Sequence, residues 1–175
     1  ESHYKSTLLG AGLSANANDA WEGFSTASLQ WVQGQLNLNG SPTQSRDAAG
    51  AQTAGRFGKA QYSLTRVQPI ASLWEAYAAF NGQWASKNLD PSEKLYLGGA
   101  AGVRSFPNNE AGGSTGVIAT LELRRDWNAQ WQTALLYDYG RISQYKVQTR
   151  ADNTSLLNDQ SNELMLHGRG ISVTY

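Results

Sequence analysis

Polar and apolar positions alternate with a period of two along most of this chain, the pattern of β-strands that bury one face in apolar surroundings. The clearest stretch is residues 71–86. Trp74, Ala76, Ala78, Phe80, Gly82 and Trp84 share one face, and Leu73, Glu75, Tyr77, Ala79, Asn81 and Gln83 share the other. Residues 56–67 oppose Ala60, Tyr62 and Leu64 to Lys59, Gln61, Ser63 and Thr65, and residues 117–125 oppose Val117, Ala119, Leu121 and Leu123 to Ile118, Thr120, Glu122 and Arg124. In residues 130–143, Trp131, Thr133, Leu135, Tyr137 and Tyr139 alternate with Gln132, Ala134, Leu136, Asp138 and Gly140. Segments 4–15 and 23–38 alternate more weakly. Residues 163–175 divide, with Leu164 and Leu166 on one face and Ile171, Val173 and Tyr175 on the other. Together these segments predict about seven antiparallel strands in an all-β fold.

The connections carry as much information as the strands. Residues 39–55, 87–115 and 146–161 are long, polar and rich in Gly, Ser, Asn and Asp, whereas the predicted turns near 68–70 and 126–129 are short. Regular alternation of long and short connections is the layout of an outer-membrane barrel, with short periplasmic turns and long extracellular loops. Ten residues separate Trp74 from Trp84, and such a span crosses an apolar band flanked by aromatic girdles. Trp74, Phe80, Trp84, Trp131 and Tyr139 are the candidate girdle residues. The opposite face of each strand then looks into a wet lumen. A secreted antiparallel β domain with one wet face is the alternative reading of the alternation.

Composition sharpens this picture. The chain has 175 residues, within single-domain range, with 14 basic and 14 acidic residues, so that no field for nucleic acid is implied. Only 16% of residues are charged, while 18 Gly, 6 Trp and 8 Tyr mark a glycine- and aromatic-rich β protein. A mean hydropathy of -0.49 and the lack of any apolar run near 18 residues exclude a transmembrane helix but not a transmembrane strand, which needs only every second residue apolar. Cysteine is absent, which removes thiolate chemistry and disulfides. The opening Glu1-Ser2-His3-Tyr4-Lys5 lacks the features of a signal peptide, so the chain is expected to begin mature or mid-protein. Bacterial single-chain barrels use even strand counts, and seven strands leave two edges that lipid cannot satisfy. Residues 1–175 are therefore expected to be one segment of a larger barrel.

The longest loop contains Leu97-Gly-Gly-Ala-Ala-Gly-Val-Arg-Ser-Phe-Pro107, followed by Asn108-Asn-Glu-Ala-Gly-Gly-Ser-Thr-Gly116. With Gln83-Trp-Ala-Ser-Lys-Asn-Leu-Asp-Pro-Ser-Glu-Lys-Leu-Tyr-Leu-Gly-Gly99 before it and Leu121-Glu-Leu-Arg124 after it, this stretch resembles the hemolysin-activator transporters, the outer-membrane partners of two-partner secretion. That family shares a superfamily with the barrel-assembly proteins. The resemblance covers nearly the whole chain and implies the C-terminal half of a barrel of about sixteen strands. The superfamily carries a Val-Arg-Gly-aromatic loop tip that folds into the lumen, and Val103-Arg104-Ser105-Phe106 matches it with Ser in place of Gly. A Phe-x-Asp-x-Gly strand motif presents its Asp to that arginine, and Leu136-Tyr137-Asp138-Tyr139-Gly140 matches it with Leu in place of Phe. The resemblance thus implies that Arg104 and Asp138, with Gly140 beside them, lock the loop inside the barrel. Parity agrees, since Asp138 falls on the inward face, where a carboxylate needs a partner or water. Glu122 and Arg124 face inward too and are candidates to extend the network. Glycines 98, 99, 102, 112, 113 and 116 are expected to allow tight turns and positive φ in the returning loop.

By the same resemblance, the complete protein has periplasmic polypeptide-transport-associated domains and exports a partner polypeptide, a hemolysin or adhesin, across the outer membrane. Outer-membrane lipid is its other partner, and no nucleotide, metal or cofactor is implied. Alternatives are a factor that inserts outer-membrane proteins, from the same superfamily, and a soluble β-domain adhesin. An enzyme finds little support. Of the two histidines, His3 opens the chain, and His167 lies near Ser161 and Glu163 without a nucleophile motif. Asp152 and Asp159 share a polar loop, where solvation explains them.

Overall fold

The computed structural model describes residues 4–175, and His3 lies outside them. The chain runs as β1 (Lys5–Asn18), β2 (Phe24–Asn37), a short helix α1 (Gln44–Ala49), β3 (Gly55–Ala71), β4 (Trp74–Ala85), β5 (Leu95–Tyr96), β6 (Gly112–Gly113), β7 (Thr115–Asp126), β8 (Gln132–Ser143) and β9 (Glu163–Thr174). Seven of the strands form one antiparallel sheet in the order β1-β2-β3-β4-β7-β8-β9. β5 and β6 form a separate two-stranded ribbon inside the longest connection. The sheet is a partial β-barrel, with β1 and β9 at its two edges. Among the described residues, no helix is long and apolar enough to cross a membrane.

Long and short connections alternate along the whole sheet, since a short turn at residues 19–23 also precedes the first long loop. One expected turn moves. Residues 68–70 remain in β3, which continues to Ala71, and the turn is made by residues 72–73. Pro69 marks a register irregularity between Pro69 and Ala71 instead of a reversal, because proline is tolerated at a bulge near a strand end. The long loops also contain structure that period-two reading does not detect, namely α1 in the first and the β5–β6 ribbon in the second.

The two faces differ as alternation predicts. Outward lie Leu64, Leu121, Leu135 and Ile171, each more than half exposed. A water-soluble domain with this much apolar surface on one face would aggregate or dimerise, whereas a bilayer covers it. All six tryptophans sit toward a rim. Trp21, Trp74, Trp127 and Trp131 lie at the short-turn end, and Trp31 stacks on Trp84 toward the long-loop end, with centroids 6.1 Å apart. Phe80 and Tyr139 depart from the expected girdle. Both pair with Ala119 midway along their strands, so they belong to the apolar band rather than to its rim.

β9 resolves its divided pattern by placing Leu166 and Gly168 inward and His167, Arg169, Ile171 and Val173 outward. The main packed cores lie on the lumen side. Leu36, Leu38, Phe57, Ala85 and Leu89 form one cluster, and Leu97, Ala111, Ile118 and Ile142 form another, with Leu95 and Leu166 against it. The second cluster is the one that matters for function, because it docks the long loop onto the wall.

Candidate functional site

The loop between β4 and β7 turns back into the sheet's concave side through a set of short backbone bonds. The Leu97 N–H donates to the Ala111 carbonyl at 2.9 Å, the Val103 N–H to the Leu97 carbonyl at 2.6 Å, and the Gly99 N–H to the Phe106 carbonyl at 3.0 Å. Of the loop glycines, only Gly99 takes a positive φ, at 95°. The others meet a different need. A Cβ at Gly102 would collide with the Leu97 carbonyl, so the tip can fold this tightly only without a side chain there.

Val103 and Leu97 are completely buried against the wall, and the wall is cut away to receive them. A Cβ at Gly140 on β8 would lie 2.9 Å from Leu97 and 3.0 Å from Val103, and one at Gly168 on β9 would lie 3.0 Å from Val103 and 2.9 Å from the Ser105 Oγ. Gly140 is thus the floor of the socket for Val103. Ser105, where the motif has glycine, rests over Gly168, so a side chain on the loop is accommodated by its absence on the strand. Leu136, where the motif has phenylalanine, faces Gly170 across the β8–β9 pair. Phe106 is half-buried, and its N–H donates to the Val103 carbonyl at 3.1 Å.

Arg104 then meets Asp138. Its Nε–H donates to Asp138 Oδ2 at 2.9 Å, its Nη2 to Oδ1 at 2.8 Å, and its backbone N–H to Oδ2 at 3.1 Å. The fork-to-fork geometry is one that lysine cannot make. Asp138 is only 2% exposed, and Thr120, directly opposite it on β7, donates a further hydrogen bond at 3.1 Å. Arg104, carried by the loop and not by a strand, is held charged above its ordinary range, first by the Asp138 hydrogen bonds and then by those from Glu122, against a desolvation that opposes them.

The network continues along the wall. Arg104 Nη1 donates to Glu122 at 2.5 Å, Arg124 Nε to the other Glu122 oxygen at 2.8 Å, and Arg124 Nη1 to Glu75 at 3.0 Å, while the Arg124 guanidinium lies 4.2 Å from the Tyr77 ring centroid. Glu122 and Arg124 therefore join Arg104 and Asp138 in one chain of charges. Sequence parity had placed Thr120, Glu75 and Tyr77 inward without assigning them to it. A cavity of about 300 Å³ opens beside this chain, lined by Tyr77, Asn81, Arg104, Thr120, Glu122 and Arg124.

Farther out, one buried side chain joins three loops. Asn88 donates to the carbonyls of Ala51 and Val147, both at 2.8 Å, and accepts from the N–H groups of Lys146 and Val147 at 2.7 and 2.8 Å. Lys59 on β3 reaches Glu93 at 2.9 Å, with both side chains about nine-tenths buried. His167 is remote from Ser161. Its ring faces outward to the Tyr137 hydroxyl at 3.1 Å, while Ser161 Oγ donates to the Glu163 carbonyl. Asp152 accepts from the Thr154 N–H and hydroxyl within its loop. Among the described residues, no three metal-ligating side chains gather.

The family described as haemolysin secretion/activation protein ShlB/FhaC/HecB matches residues 2–159. The Heme/hemopexin transporter protein HuxB of Haemophilus influenzae is 28% identical over 146 residues, which cover 81% of this chain and 26% of that protein. Its counterpart in strain 86-028NP is 25% identical over 175 residues, covering 98% of this chain and 30% of that protein. The chain therefore spans less than a third of the length of these relatives. Among solved structures, CdiB from Escherichia coli superposes with a TM-score of 0.70 at 20% identity, covering 95% of this chain and 30% of CdiB, a likeness of fold.

Proposed function

We propose that this chain, which belongs to the haemolysin secretion/activation family ShlB/FhaC/HecB, forms the loop-latched wall of an outer-membrane pore that secretes a partner polypeptide. The sheet is a segment of a transmembrane β-barrel in the outer membrane of a Gram-negative bacterium. The observation that carries the reading is the Arg104–Asp138 pair, because it fastens the longest loop across the concave side through three hydrogen bonds. A loop held there narrows the lumen. A loop released from Asp138 and Glu122 would leave a polar wall that a β-prone, unfolded polypeptide can pass without leaving its own backbone groups unsatisfied. Folding of the cargo outside then makes passage one-way, with no nucleotide required.

Breaking the pair leaves Asp138 buried without its cation. Because Arg104 is nearly a third exposed, the cost falls near the low end of the roughly 3–5 kcal/mol expected for a buried pair. Arg104→Ala and Asp138→Ala in the full-length protein should each reduce secretion of the cognate partner severalfold, while the barrel still inserts and shows heat-modifiable migration. Secretion at the wild-type level by both inserted variants would refute the latch.

A further inference from the structure

The short-turn rim holds a cation that the described residues leave unfinished. Arg125, on the outward face of β7, lies between two indoles, with its guanidinium carbon 3.9 Å from the Trp127 ring centroid and 5.1 Å from that of Trp74. Trp127 is held in place by its Nε1–H, which donates to Thr133 Oγ1 at 2.9 Å. Two rings therefore engage the guanidinium. Nε is enclosed with no hydrogen-bond partner, the two Nη groups are not enclosed and have no side-chain partner either, and no ion pair among the described residues uses Arg125. The adjacent carboxylate is committed elsewhere, since Asp126 accepts from Gln132 at 2.8 Å. A guanidinium whose reachable Nη groups have no acceptor is costly at an aromatic rim and calls for one from outside the described residues.

We propose that Trp74, Arg125 and Trp127 form a binding site for the phosphate of an anionic phospholipid in the periplasmic leaflet. A phosphate accepts from the Nη groups in the guanidinium plane, which leaves the ring contacts undisturbed. The level is right, because aromatic residues at a barrel rim sit among the headgroups. The surface beyond is right as well. Leu123 and Leu135 pair outward on the next row toward the bilayer centre, with Ile171 beside Leu135, and all three are exposed, giving acyl chains an apolar track that starts at the cation. A free phosphate would use the edge and gain nothing from that track.

The test uses the full-length protein, delipidated in a non-ionic detergent and titrated with phosphatidylglycerol, phosphatidylcholine of the same acyl chains, or glycerol phosphate, with bound species counted by native mass spectrometry. Wild-type protein should retain phosphatidylglycerol over phosphatidylcholine. Arg125→Gln should weaken that binding about tenfold, as expected for losing a charge-assisted contact, with Arg125→Lys and Trp127→Leu in between. Equal retention of the two lipids by wild type, or unchanged retention by Arg125→Gln, would overturn the site. Glycerol phosphate binding as tightly as the lipid would overturn its assignment to a lipid. Heat-modifiable migration checks that each variant is folded. Secretion by the variants reads the transport proposal separately, because Arg125 lies outside the latch.

Discussion

At the scale of the residue, the latch depends on two absent side chains as much as on two charges. Gly140 and Gly168 lie on neighbouring strands, and the space they leave is filled by Leu97, Val103 and Ser105. Filling it should release the loop without altering a charge. Gly140→Ala and Gly168→Ala place a methyl within about 3 Å of these side chains, an overpacking worth roughly 1–3 kcal/mol. Tryptic cleavage after Arg104 in the folded, membrane-inserted protein should accordingly rise about fivefold or more in either variant. Cleavage no faster than in wild type would mean that the wall yields and the loop stays. The pairing of Asp138 with Arg104 was legible in the sequence from the motif and from strand parity. That of Gly168 was not, because a glycine in an edge strand looks like simple weakness until the loop residue above it is known.

At the scale of the element, the strands were readable because an apolar solvent outside and a wet lumen inside impose a strict period of two. What escaped was structure without that period. α1 interrupts a polar loop and is anchored by Asp47, whose carboxylate accepts from the N–H and hydroxyl of Thr53, at 2.9 and 2.7 Å, and from the Ala54 N–H at 3.0 Å. Burial pushes this carboxyl up, but those donors and the Lys87 charge outweigh it and hold the group below its ordinary value. Because the folded pKa is depressed, the anchoring is complete above the unfolded value of about 4 and is lost as pH falls through the lower, folded one. Amide exchange across Gln44–Ala49, corrected for intrinsic rates, should be slow at pH 6 and quicken only once pH has fallen below the ordinary carboxylate range, and Asp47→Asn should be fast already at pH 6. The turn beside Pro69 escaped for another reason, since the residue that most often signals reversal here marks a bulge, and the chain reverses only at residues 72–73, where Ala71 pairs with Trp74.

At the scale of the whole molecule, the outward face is a continuous apolar band over β4, β7 and β8, and β9 interrupts it. Arg169 faces outward beside Tyr137, which in turn lies beside Leu121 and Ala78, midway between the rims. A cation at that depth destabilises a transmembrane barrel by about 2–4 kcal/mol. Arg169→Leu should therefore raise the urea midpoint of the full-length protein in bilayers, and a lower midpoint would show that the arginine has a partner on the next strand. The order of the sheet has a last consequence, which concerns assembly. Every strand pairs with the neighbour that precedes or follows it in the main sheet, so the barrel wall can be added strand by strand, and each addition can slip. A slip of one residue in β8 would turn Asp138 to lipid and Tyr137 to the lumen, and Arg104 would lose the carboxylate it grips with three hydrogen bonds, keeping only Glu122 on β7. The loop's arginine thus acts as a gauge of register, because its bonds to Asp138 form only on a wall that has been laid down correctly.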